Sequence, residues 1–316
     1  MKNKKLTSWV VTEGIAGTEN QCLGIAEALS LKPIVKRIKL KAPWRQLSPW
    51  LNWGYKYALT KNSDQISPPY PDILIASGRK SIGIARYIKE SSKGKTFVVQ
   101  VQDPRIDHKY FDLVTVPQHD PTRGENIVVT TGALHKVTPE KLEAEKKKFE
   151  KTLEHLPKPR VAVLIGGSSK HYKMTKENTE SLIEQLKTLK DAGLMITASR
   201  RTGEENTAIL REKLKSDNIY FWDGSGENPY FGFLALADYI VVTEDSVSMV
   251  SEAISTGKPV YIASLEGGAK RIDLFHKLLQ EQGYTKPFTG KLEIWSYEAP
   301  NDTLKVAKEI QKRMKL

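Results

Sequence analysis

Cysteine is almost absent from this chain of 316 residues, and histidine is sparse. The single cysteine, Cys22, excludes an internal disulfide and a metal cluster held by several cysteines. The six histidines are scattered without the short spacing of metal ligands, and no Asp-x-Asp pair provides another cation site. We therefore expect a protein with neither a bound metal ion nor a resident cofactor.

Long apolar runs are also missing. No segment approaches the about 20 consecutive apolar residues that a membrane-spanning helix needs. The basic residues 1–5 are followed only by the short apolar stretch 6–11, without a small-residue cleavage site, so no signal peptide is expected. These absences favour the cytoplasm. An apolar content of 39% over this length still allows a sizeable core and about two domains.

Two common nucleotide-binding motifs are absent although glycines stand at predicted strand ends. Gly14 and Gly17 follow the first strand, but their Gly-x-x-Gly spacing differs from the dinucleotide fingerprint. Lys39 ends the second strand, where an acidic residue would hold an adenosine ribose. The Gly-Gly-Ser-Ser stretch 166–169 lacks the Gly-Lys-Ser/Thr ending of a P-loop. A nicotinamide oxidoreductase and an ATP or GTP hydrolase are therefore disfavoured.

Acidic residues are scarce relative to basic ones in the first half only. Residues 1–157 contain 26 Lys and Arg against 16 Asp and Glu, whereas residues 158–316 contain 23 against 21. The first half therefore carries almost all of the net charge of +12. No nucleic-acid module signature accompanies this charge, so it indicates a basic surface or a contact with an anionic membrane.

Short apolar runs alternate with amphipathic helical stretches along the chain, which is typical of a doubly wound α/β architecture. Strands are predicted at about 7–12, 33–39, 72–76, 96–101, 112–116, 126–131, 161–165, 194–199, 219–222, 239–243 and 259–263. The charged helix at 139–155 runs into Leu156-Pro-Lys-Pro-Arg160, where two prolines end it. We therefore expect two Rossmann-like domains facing a cleft, 1–156 and 157–300, followed by a helix in 301–316.

The stretch 239–268 is the most informative part of the sequence. A β-branched strand, a helix that begins at Ser246 and a second strand follow one another. The N-terminus of the helix, with the hydroxyls of Ser246 and Ser248, offers N–H groups and positive dipole to a phosphate. Glu252, about two turns further, is placed to accept hydrogen bonds from a ribose. The alternative is an ordinary helix capped by Ser246, with Glu252 solvated.

Two further strand ends carry candidates for phosphate binding. Gly166, Gly167 and Ser168 end the first strand of the second half and allow the backbone to approach a ligand closely. Arg200 and Arg201 follow the next strand and could neutralise a diphosphate. The alternatives are a tight turn for the glycines and a solvated pair at a helix start for the arginines.

Candidate general bases lie in the first half, at predicted strand ends or in loops. They are Glu13, Glu19, Asp103 and His119, although such residues also cap turns. No pattern singles out one of them, so all four stay open.

Half of the six tryptophans, Trp44, Trp50 and Trp53, lie within ten residues of one another. Tyrosines and basic residues are interleaved with them in the segment 44–57. Tryptophan and lysine together suit a membrane interface, so Trp44–Tyr57 predicts a peripheral contact with an anionic membrane. Packing of the large aromatic rings in a core is the alternative.

Several short motifs occur together in this chain. They are Gly-Thr-Glu-Asn-Gln (17–21), Ala-Ser-Gly-Arg (76–79), Val-Gln-Asp-Pro-Arg (101–105), Gln-His-Asp (118–120), Thr-Gly-Ala-Leu-His (131–135), Ile-Gly-Gly-Ser-Ser (165–169), Ser-Arg-Arg-Thr (199–202), Trp-Asp-Gly-Ser-Gly-Glu-Asn-Pro-Tyr (222–230) and Glu-Asp-Ser-Val-Ser-Met-Val-Ser-Glu-Ala (244–253). With them the chain resembles, over nearly its whole length, the plant "elongated mitochondria" proteins of mitochondrial fission and their bacterial relatives. Those proteins are described as candidate glycosyltransferases, and the resemblance leaves the activity open.

The second half also resembles the donor-binding domain of GT-B glycosyltransferases, particularly the peptidoglycan N-acetylglucosaminyltransferases. The resemblance implies that the Gly-Gly-Ser loop 166–168 faces the donor diphosphate. It implies that the segment with Asn228 and Tyr230 holds the base, and that the Ser-Glu pair 251–252 binds the ribose. It also implies that the last helix crosses back to the first domain. Residues 14–21 do not match the acceptor loop of those enzymes, so the resemblance does not imply the identity of the acceptor.

Together these expectations describe a metal-independent transferase of the GT-B type. A nucleoside-diphosphate sugar would bind the second domain. An acceptor hydroxyl, from a membrane-linked glycan or a lipid, would be deprotonated by Glu19, Asp103 or His119 of the first domain. Two alternatives stay open: a sugar-nucleotide epimerase on the same fold, and a non-catalytic adaptor that keeps the fold for protein contacts, like the plant relatives.

Overall fold

A computed structural model of the chain describes residues 6–51 and 53–316, which fold into two compact α/β units. Unit 1 consists of the described residues up to Lys136 together with Asn301–Leu316, and unit 2 is Val137–Pro300. Each unit contains a six-stranded parallel sheet covered by helices, which confirms the α/β prediction. Residues 1–5, on which the expectation about a signal peptide rests, and Asn52 lie outside the described residues.

The sheet of unit 1 aligns the carboxyl ends of its strands along one edge. Its elements are β1 (Ser8–Thr12), α1 (Ala16–Ala28), β2 (Ile34–Arg37), α2 (Trp44–Leu47), β3 (Ile73–Ser77), α3 (Ser81–Ser91), β4 (Phe97–Val101), β5 (Leu113–Pro117) and β6 (Ile127–Thr130), with 3-10 turns at Tyr55–Tyr57 and His108–Tyr110. The strand order is β2-β1-β3-β4-β5-β6. The order reverses between β1 and β3, and such a switch point is where open sheets form a crevice for ligands.

Both faces of this sheet are covered, which explains the nearly continuous apolar character of its strands. β1 and β3 are buried at every position. One face packs under α1 through Cys22 and Ile25, and the other packs under α3 through Ile84 and Ile88. Cys22 is therefore a fully buried core residue.

Unit 2 repeats this plan and adds a small antiparallel pair. Its elements are α4 (Pro139–Leu153), β7 (Arg160–Ile165), β8 (Tyr172–Lys173), α5 (Lys176–Lys187), β9 (Gly193–Ala198), α6 (Glu204–Lys213), β10 (Ile219–Phe221), α7 (Tyr230–Leu236), β11 (Tyr239–Thr243), α8 (Val247–Ile254), β12 (Val260–Ala263), β13 (Glu266–Gly267), α9 (Lys270–Glu281) and β14 (Thr285–Pro287), with a 3-10 turn at Arg200–Thr202. The parallel strands follow the order β10-β9-β7-β11-β12-β14, so the switch point lies between β7 and β11. β8 and β13 form the antiparallel pair.

Helix α4 belongs to unit 2, so the observed boundary at residue 136 differs from the predicted one at residue 156. Its many charges suggested a solvated helix at the end of the first domain. Its apolar side packs on α7, where a Cβ atom added to Gly232 would lie 2.6 Å from the Phe149 ring. Leu153 is fully buried. The prolines after α4 therefore end the helix but do not end a domain.

The last helix, α10 (Asp302–Met314), belongs to unit 1 and packs on α1. Asp302 Oδ2 accepts a hydrogen bond from the Thr131 N–H at 2.8 Å. Thr303 Oγ1 accepts from the His135 N–H at 3.2 Å and donates to the His135 carbonyl at 3.0 Å. Burial raises the pKa of Asp302. These contacts fix the first turn of α10 to the loop that follows β6.

The positive charge of the chain lies on unit 1. Residues 1–136 and 301–316 contain 26 Lys and Arg against 13 Asp and Glu, whereas residues 137–300 contain 23 against 24. The asymmetry is sharper than the division at residue 157 indicated, because the basic helix α10 returns to unit 1. Long-range attraction of an extended anionic surface, such as a membrane of acidic lipids, therefore acts mainly on unit 1.

Candidate functional site

The switch point of unit 2 brings two of the predicted segments together. Gly166, Gly167 and Ser168 follow β7, and Ser246 is the N-cap residue of α8, which follows the neighbouring strand β11. Ligands of open α/β sheets bind outside the carboxyl ends of the strands at such a point. This edge of the sheet is therefore the first candidate site.

The Gly-Gly-Ser loop uses backbone N–H groups for contacts inside the unit. The Gly166 N–H donates to Thr243 Oγ1 at 2.7 Å, and the Ser168 N–H donates to the Arg201 carbonyl at 2.9 Å. Gly167 has a φ of +140°, and a Cβ atom there would lie 2.1 Å from the same carbonyl oxygen. Internal packing thus accounts for the glycines, and fewer N–H groups remain for a phosphate than the composition of the loop suggests.

The two predicted arginines have different surroundings. Arg201 Nη1 lies 2.7 Å from Oδ2 of Asp245, whose side chain is completely buried. Thr243 Oγ1 donates to Asp245 Oδ1 at 2.7 Å. Arg200 is exposed and lines a surface cavity. Asp245 is not among the residues predicted from the sequence, and its position two residues after β11 is the signal that could have found it.

The N-terminus of α8 is capped by the side chain of its own N-cap residue, Ser246. Ser246 Oγ accepts the Met249 N–H at 3.4 Å, as the capping alternative supposed. Ser246 is buried, whereas Ser248 in the first turn is partly exposed. Ser248 and the N–H groups at the start of the helix are therefore what this end presents to a ligand.

Tyr230 and Glu252, which were assigned to different parts of a nucleotide, are direct partners. Tyr230 is the first residue of α7, and its hydroxyl donates to Glu252 Oε2 at 2.5 Å. Desolvation raises the pKa of Glu252 to about 7, opposed by this hydrogen bond and by the charge of Lys141. Desolvation, together with the nearby carboxylate, also raises the pKa of Tyr230. Glu252 is partly exposed, so its carboxylate can still accept hydrogen bonds from a ligand.

The loop before α7 borders a cavity of about 620 Å³ at the carboxyl ends of β9 and β10. Its lining includes Ser199, Arg200, Thr207, Arg211, Trp222 and Asp223. The Trp222 indole N–H donates to the Ser225 carbonyl at 2.8 Å, which fixes the ring. Asn228 Oδ1 accepts the Tyr230 N–H at 3.0 Å, which closes a turn just before α7. The cavity is open to solvent, and its volume lies in the range of small-molecule sites.

In unit 1, Glu19 is engaged in an ion pair. Its carboxylate on α1 accepts hydrogen bonds from Arg37 at 2.9 and 2.7 Å and from the Thr12 hydroxyl at 3.1 Å. The hydrogen bonds from Arg37 hold the pKa of Glu19 below its ordinary value. At neutral pH this carboxylate is therefore ionised and accepts hydrogen bonds from Arg37 and Thr12. Glu19 is thus poorly suited to accept a proton as a general base.

Asp103 and His119 follow the neighbouring strands β4 and β5 at one edge of the unit 1 sheet. Asp103 Oδ1 accepts the Arg105 N–H at 2.9 Å, which caps a turn. His119 Nε2 lies 4.0 Å from Oδ1 of the buried Asp120. Adjacent strands are about 4.8 Å apart, so Asp103 and His119 share one region of this edge, whereas Glu19 contacts β2, three strands from β4.

The fourth candidate base, Glu13, lies at the switch point of unit 1. Its Oε1 accepts the Lys80 N–H at 2.9 Å, and its Oε2 accepts from Lys80 Nζ at 2.7 Å. Both carboxylate oxygens therefore join the end of β1 to the start of α3.

The tryptophan-rich segment exposes part of its aromatic rings. Trp50 and Trp53 are 61% and 68% exposed, and Tyr57 is 65% exposed. Tyr55 is buried, and Arg79 holds the segment by donating to two of its carbonyls and lying 5.2 Å from the centre of the Trp50 ring. Core packing therefore explains Tyr55 but not Trp50 or Trp53. Within residues 6–51 and 53–316, no helix has the length and apolar character to cross a bilayer.

Solved structures of GT-B proteins share the fold of this chain. MurG of Acinetobacter baumannii superposes with a TM-score of 0.53 and 14% identity, covering 97% of this chain and 99% of MurG. A UDP-GlcNAc 2-epimerase of Neisseria meningitidis, solved with bound UDP-GlcNAc, gives a TM-score of 0.54 and 14% identity, covering 98% of this chain and 99% of the epimerase. At such low identity the likeness shows the fold alone, and the fold is of the GT-B type.

The amino-acid sequence matches one protein family over most of its length. The family described as Mitochondrial fission ELM1 matches residues 16–314. The Mitochondrial fission protein ELM1 of Arabidopsis thaliana is 31% identical over 388 residues, covering 96% of this chain and 90% of the plant protein. The resemblance drawn from the short motifs is thus confirmed, and the chain belongs to the Mitochondrial fission ELM1 family.

Proposed function

We propose that the chain is a GT-B-type glycosyltransferase that moves a sugar from a nucleoside-diphosphate sugar to a hydroxyl acceptor without a metal ion. The observation that carries the proposal is the arrangement along the carboxyl edge of the unit 2 sheet. The start of α8 lies at the switch point, Tyr230 at the start of α7 contacts Glu252 of α8, and the cavity of about 620 Å³ lies at the ends of β9 and β10. An epimerase of the same fold holds UDP-GlcNAc, which supports a sugar nucleotide as the ligand.

Each part of a donor nucleotide has a chemically suited partner on this edge. Glu252 would accept hydrogen bonds from the ribose hydroxyls while Tyr230 orients the carboxylate. The base would enter the cavity beside Trp222, whose fixed indole offers a flat apolar surface. The diphosphate would lie between the start of α8 and the exposed arginines Arg200 and Arg201, because both groups offer N–H donors to anionic oxygens.

The transfer itself needs a base from unit 1. The acceptor oxygen would form a bond to the sugar C1 as the C1–O bond to the diphosphate breaks, and the hydroxyl proton would pass to the base. Asp103 and His119 are the stronger candidates, because Glu19 is held in its ion pair with Arg37. Fixed donors of unit 2 would stabilise the charge that develops on the departing diphosphate, in the place of a metal ion.

Two other functions fit parts of the same observations. Epimerisation of a sugar nucleotide is favoured by the shared fold of the Neisseria enzyme, and it would require an acid and a base around the sugar but no acceptor. A non-catalytic adaptor is favoured by membership of the mitochondrial fission family, and it would keep the fold without turnover of a nucleotide.

Thermal unfolding of the protein with UDP, GDP, ADP or CMP tests the proposal. We expect at least one of these nucleotides to raise the Tm, because a ligand at 100 times its Kd stabilises the folded state by about 2.7 kcal/mol. If no nucleotide raises the Tm, the transferase and epimerase proposals both fail and the adaptor remains. Turnover of a UDP-sugar without any acceptor would instead favour the epimerase.

The tryptophan-rich segment would give unit 1 a peripheral contact with an anionic membrane. Residues 28–63, which include this segment, contain eight Lys and Arg and no Asp or Glu. Trp50, Trp53 and Tyr57 expose their rings within this basic stretch. Aromatic rings settle at the headgroup level of a bilayer, and cations are attracted to anionic lipids. Such a contact would suit an acceptor that is a lipid or a lipid-linked glycan.

Flotation with liposomes that contain phosphatidylserine tests this contact. Replacing Trp50 and Trp53 together by alanine should reduce vesicle binding by about tenfold or more, because two large exposed rings no longer partition into the interface. Ile294→Ala removes an apolar side chain that is 89% exposed outside the segment, and it should float as the wild type does. Equal flotation of the double variant and the wild type would show that another surface, or none, contacts the membrane.

A further inference from the structure

Asp245 is a buried carboxylate at the switch point of unit 2 that the proposed reaction does not use. We infer that it is a positioning residue, which holds the Arg201 guanidinium beside Gly166 so that the other N–H groups of Arg201 bind the donor diphosphate. The inference rests on the proposed function, and it identifies a residue on which recognition of the diphosphate depends.

Arg201 is fixed at both its backbone and its side chain. Its carbonyl accepts the Ser168 N–H at 2.9 Å, and its Nη1 lies 2.7 Å from Asp245 Oδ2. Asp245 lies directly against the Gly-Gly-Ser loop, because a Cβ atom on Gly166 would be 2.4 Å from both carboxylate oxygens. Arg201 therefore connects the loops that follow the three adjacent strands β7, β9 and β11.

The carboxylate that anchors Arg201 is itself held rigidly. The Asp245 side chain is completely buried. Thr243 Oγ1 donates to Asp245 Oδ1 at 2.7 Å and accepts the Gly166 N–H at 2.7 Å. A carboxylate buried to this extent needs a counter-charge, and the guanidinium of Arg201 supplies it. The ion pair thus has one fixed partner, Asp245, and one partner with access to solvent, Arg201.

The Arg201 guanidinium has further N–H donors that could bind a ligand. A guanidinium carries five N–H donors, and the contact with Asp245 occupies only one of its nitrogens. The Arg201 side chain remains 42% exposed. A guanidinium anchored on one side keeps its other side in a constant orientation, so it loses less conformational entropy when it binds a phosphate.

Two opposite effects of Asp245 make the inference testable. If Asp245 acted only as a negative charge near the diphosphate, Asp245→Asn would tighten the binding of anions. If Asp245 acts as the anchor of Arg201, the same substitution weakens the binding. We expect the second result, because the ion pair with Arg201 already balances the charge of Asp245.

Calorimetric titration of the intact chain with UDP, pyrophosphate and uridine separates these effects. For Asp245→Asn we expect about tenfold to hundredfold weaker binding of UDP and pyrophosphate, and unchanged binding of uridine. Arg201→Lys keeps the positive charge beside Asp245 but offers fewer donors, so it should act in the same direction and serves if Asp245→Asn does not fold. Asp238→Asn, just before the opposite end of β11, is the matched control.

Each outcome decides the inference. If Asp245→Asn binds pyrophosphate as tightly as the wild type or more tightly, the inference is wrong and the proposed function stands. If its affinity for uridine falls as much as its affinity for UDP, the inference is also wrong, because the substitution then disturbs the fold of unit 2. If the wild type binds neither pyrophosphate nor any nucleotide, the proposed function fails and the inference fails with it.

Discussion

Glu252→Ala should weaken the binding of UDP by about 100-fold or more and abolish the thermal stabilisation that the nucleotide provides. A hydrogen bond to a charged group contributes about 1.5–3 kcal/mol, and a ribose would donate two such bonds to this carboxylate. Each 1.4 kcal/mol is about a factor of ten in Kd. The Tyr230 hydroxyl lies 2.5 Å from Glu252 Oε2, so the carboxylate is oriented before a nucleotide arrives. Calorimetric titration with UDP measures the loss.

Two variants separate this role of Glu252 from a general effect on unit 2. Glu252→Gln keeps the volume of the side chain but not its charge, so it should lose much of the UDP affinity while the Tm without ligand changes little. Glu212→Ala removes an exposed carboxylate on α6 and should bind UDP as the wild type does. Unchanged UDP binding by Glu252→Ala would show that the ribose lies elsewhere.

The same carboxylate should give nucleoside binding a pH dependence in the neutral range. Desolvation raises the pKa of Glu252 to about 7, and the ionised form is the better acceptor for ribose hydroxyls. Affinity for uridine, which has no titrating phosphate, should therefore fall as the pH falls through about 7 and level off above about 8. Tyr230→Phe removes a hydrogen bond that favours the ionised form, so it should move the midpoint to higher pH. A midpoint near the ordinary glutamate pKa of 4.5 would contradict this account.

The strands of both sheets could be predicted because buried parallel strands carry nearly continuous apolar runs. β11, which is Tyr239–Thr243, was predicted with its observed ends, and buried β3 differs from its prediction by one residue at each end. β14 was not predicted from the sequence, because Thr285–Pro287 is short and contains a lysine and a proline. Proline is tolerated there because β14 is the edge strand of its sheet.

The partners of the site residues could not be predicted, because the order of the strands sets them rather than spacing along the chain. Glu19 pairs with Arg37 because β1 and β2 are neighbours. Arg201 and Asp245 belong to loops after β9 and β11, which meet on either side of β7. The sequence makes Glu252 a candidate site residue, but only the fold shows the Tyr230 hydroxyl that donates to it.

Gly167→Ala should strongly destabilise unit 2. The φ of Gly167 is +140°, which L side chains rarely adopt, and the added methyl group would lie 2.1 Å from the Arg201 carbonyl oxygen. Backbone strain and overpacking each cost about 1–3 kcal/mol, so their sum is on the order of 2–6 kcal/mol, a large part of the stability of an ordinary domain. Urea denaturation of the intact chain, followed by circular dichroism, measures the change.

Gly283→Ala is the matched control, because Gly283 also has a positive φ, +74°, but open space around its added methyl group. Gly283→Ala should lower the free energy of unfolding by only about 1–2 kcal/mol.

The comparison of the two variants separates two reasons for a glycine at position 167. If Gly167→Ala keeps the stability of the Gly283→Ala control yet binds no nucleotide, the glycine is there for the close approach of a phosphate. If Gly167→Ala is destabilised as expected, the glycine is required because the Arg201 backbone leaves no room for a Cβ atom. The Gly-Gly-Ser loop would then contribute to the proposed donor site only indirectly, by supporting the contact between Arg201 and Asp245.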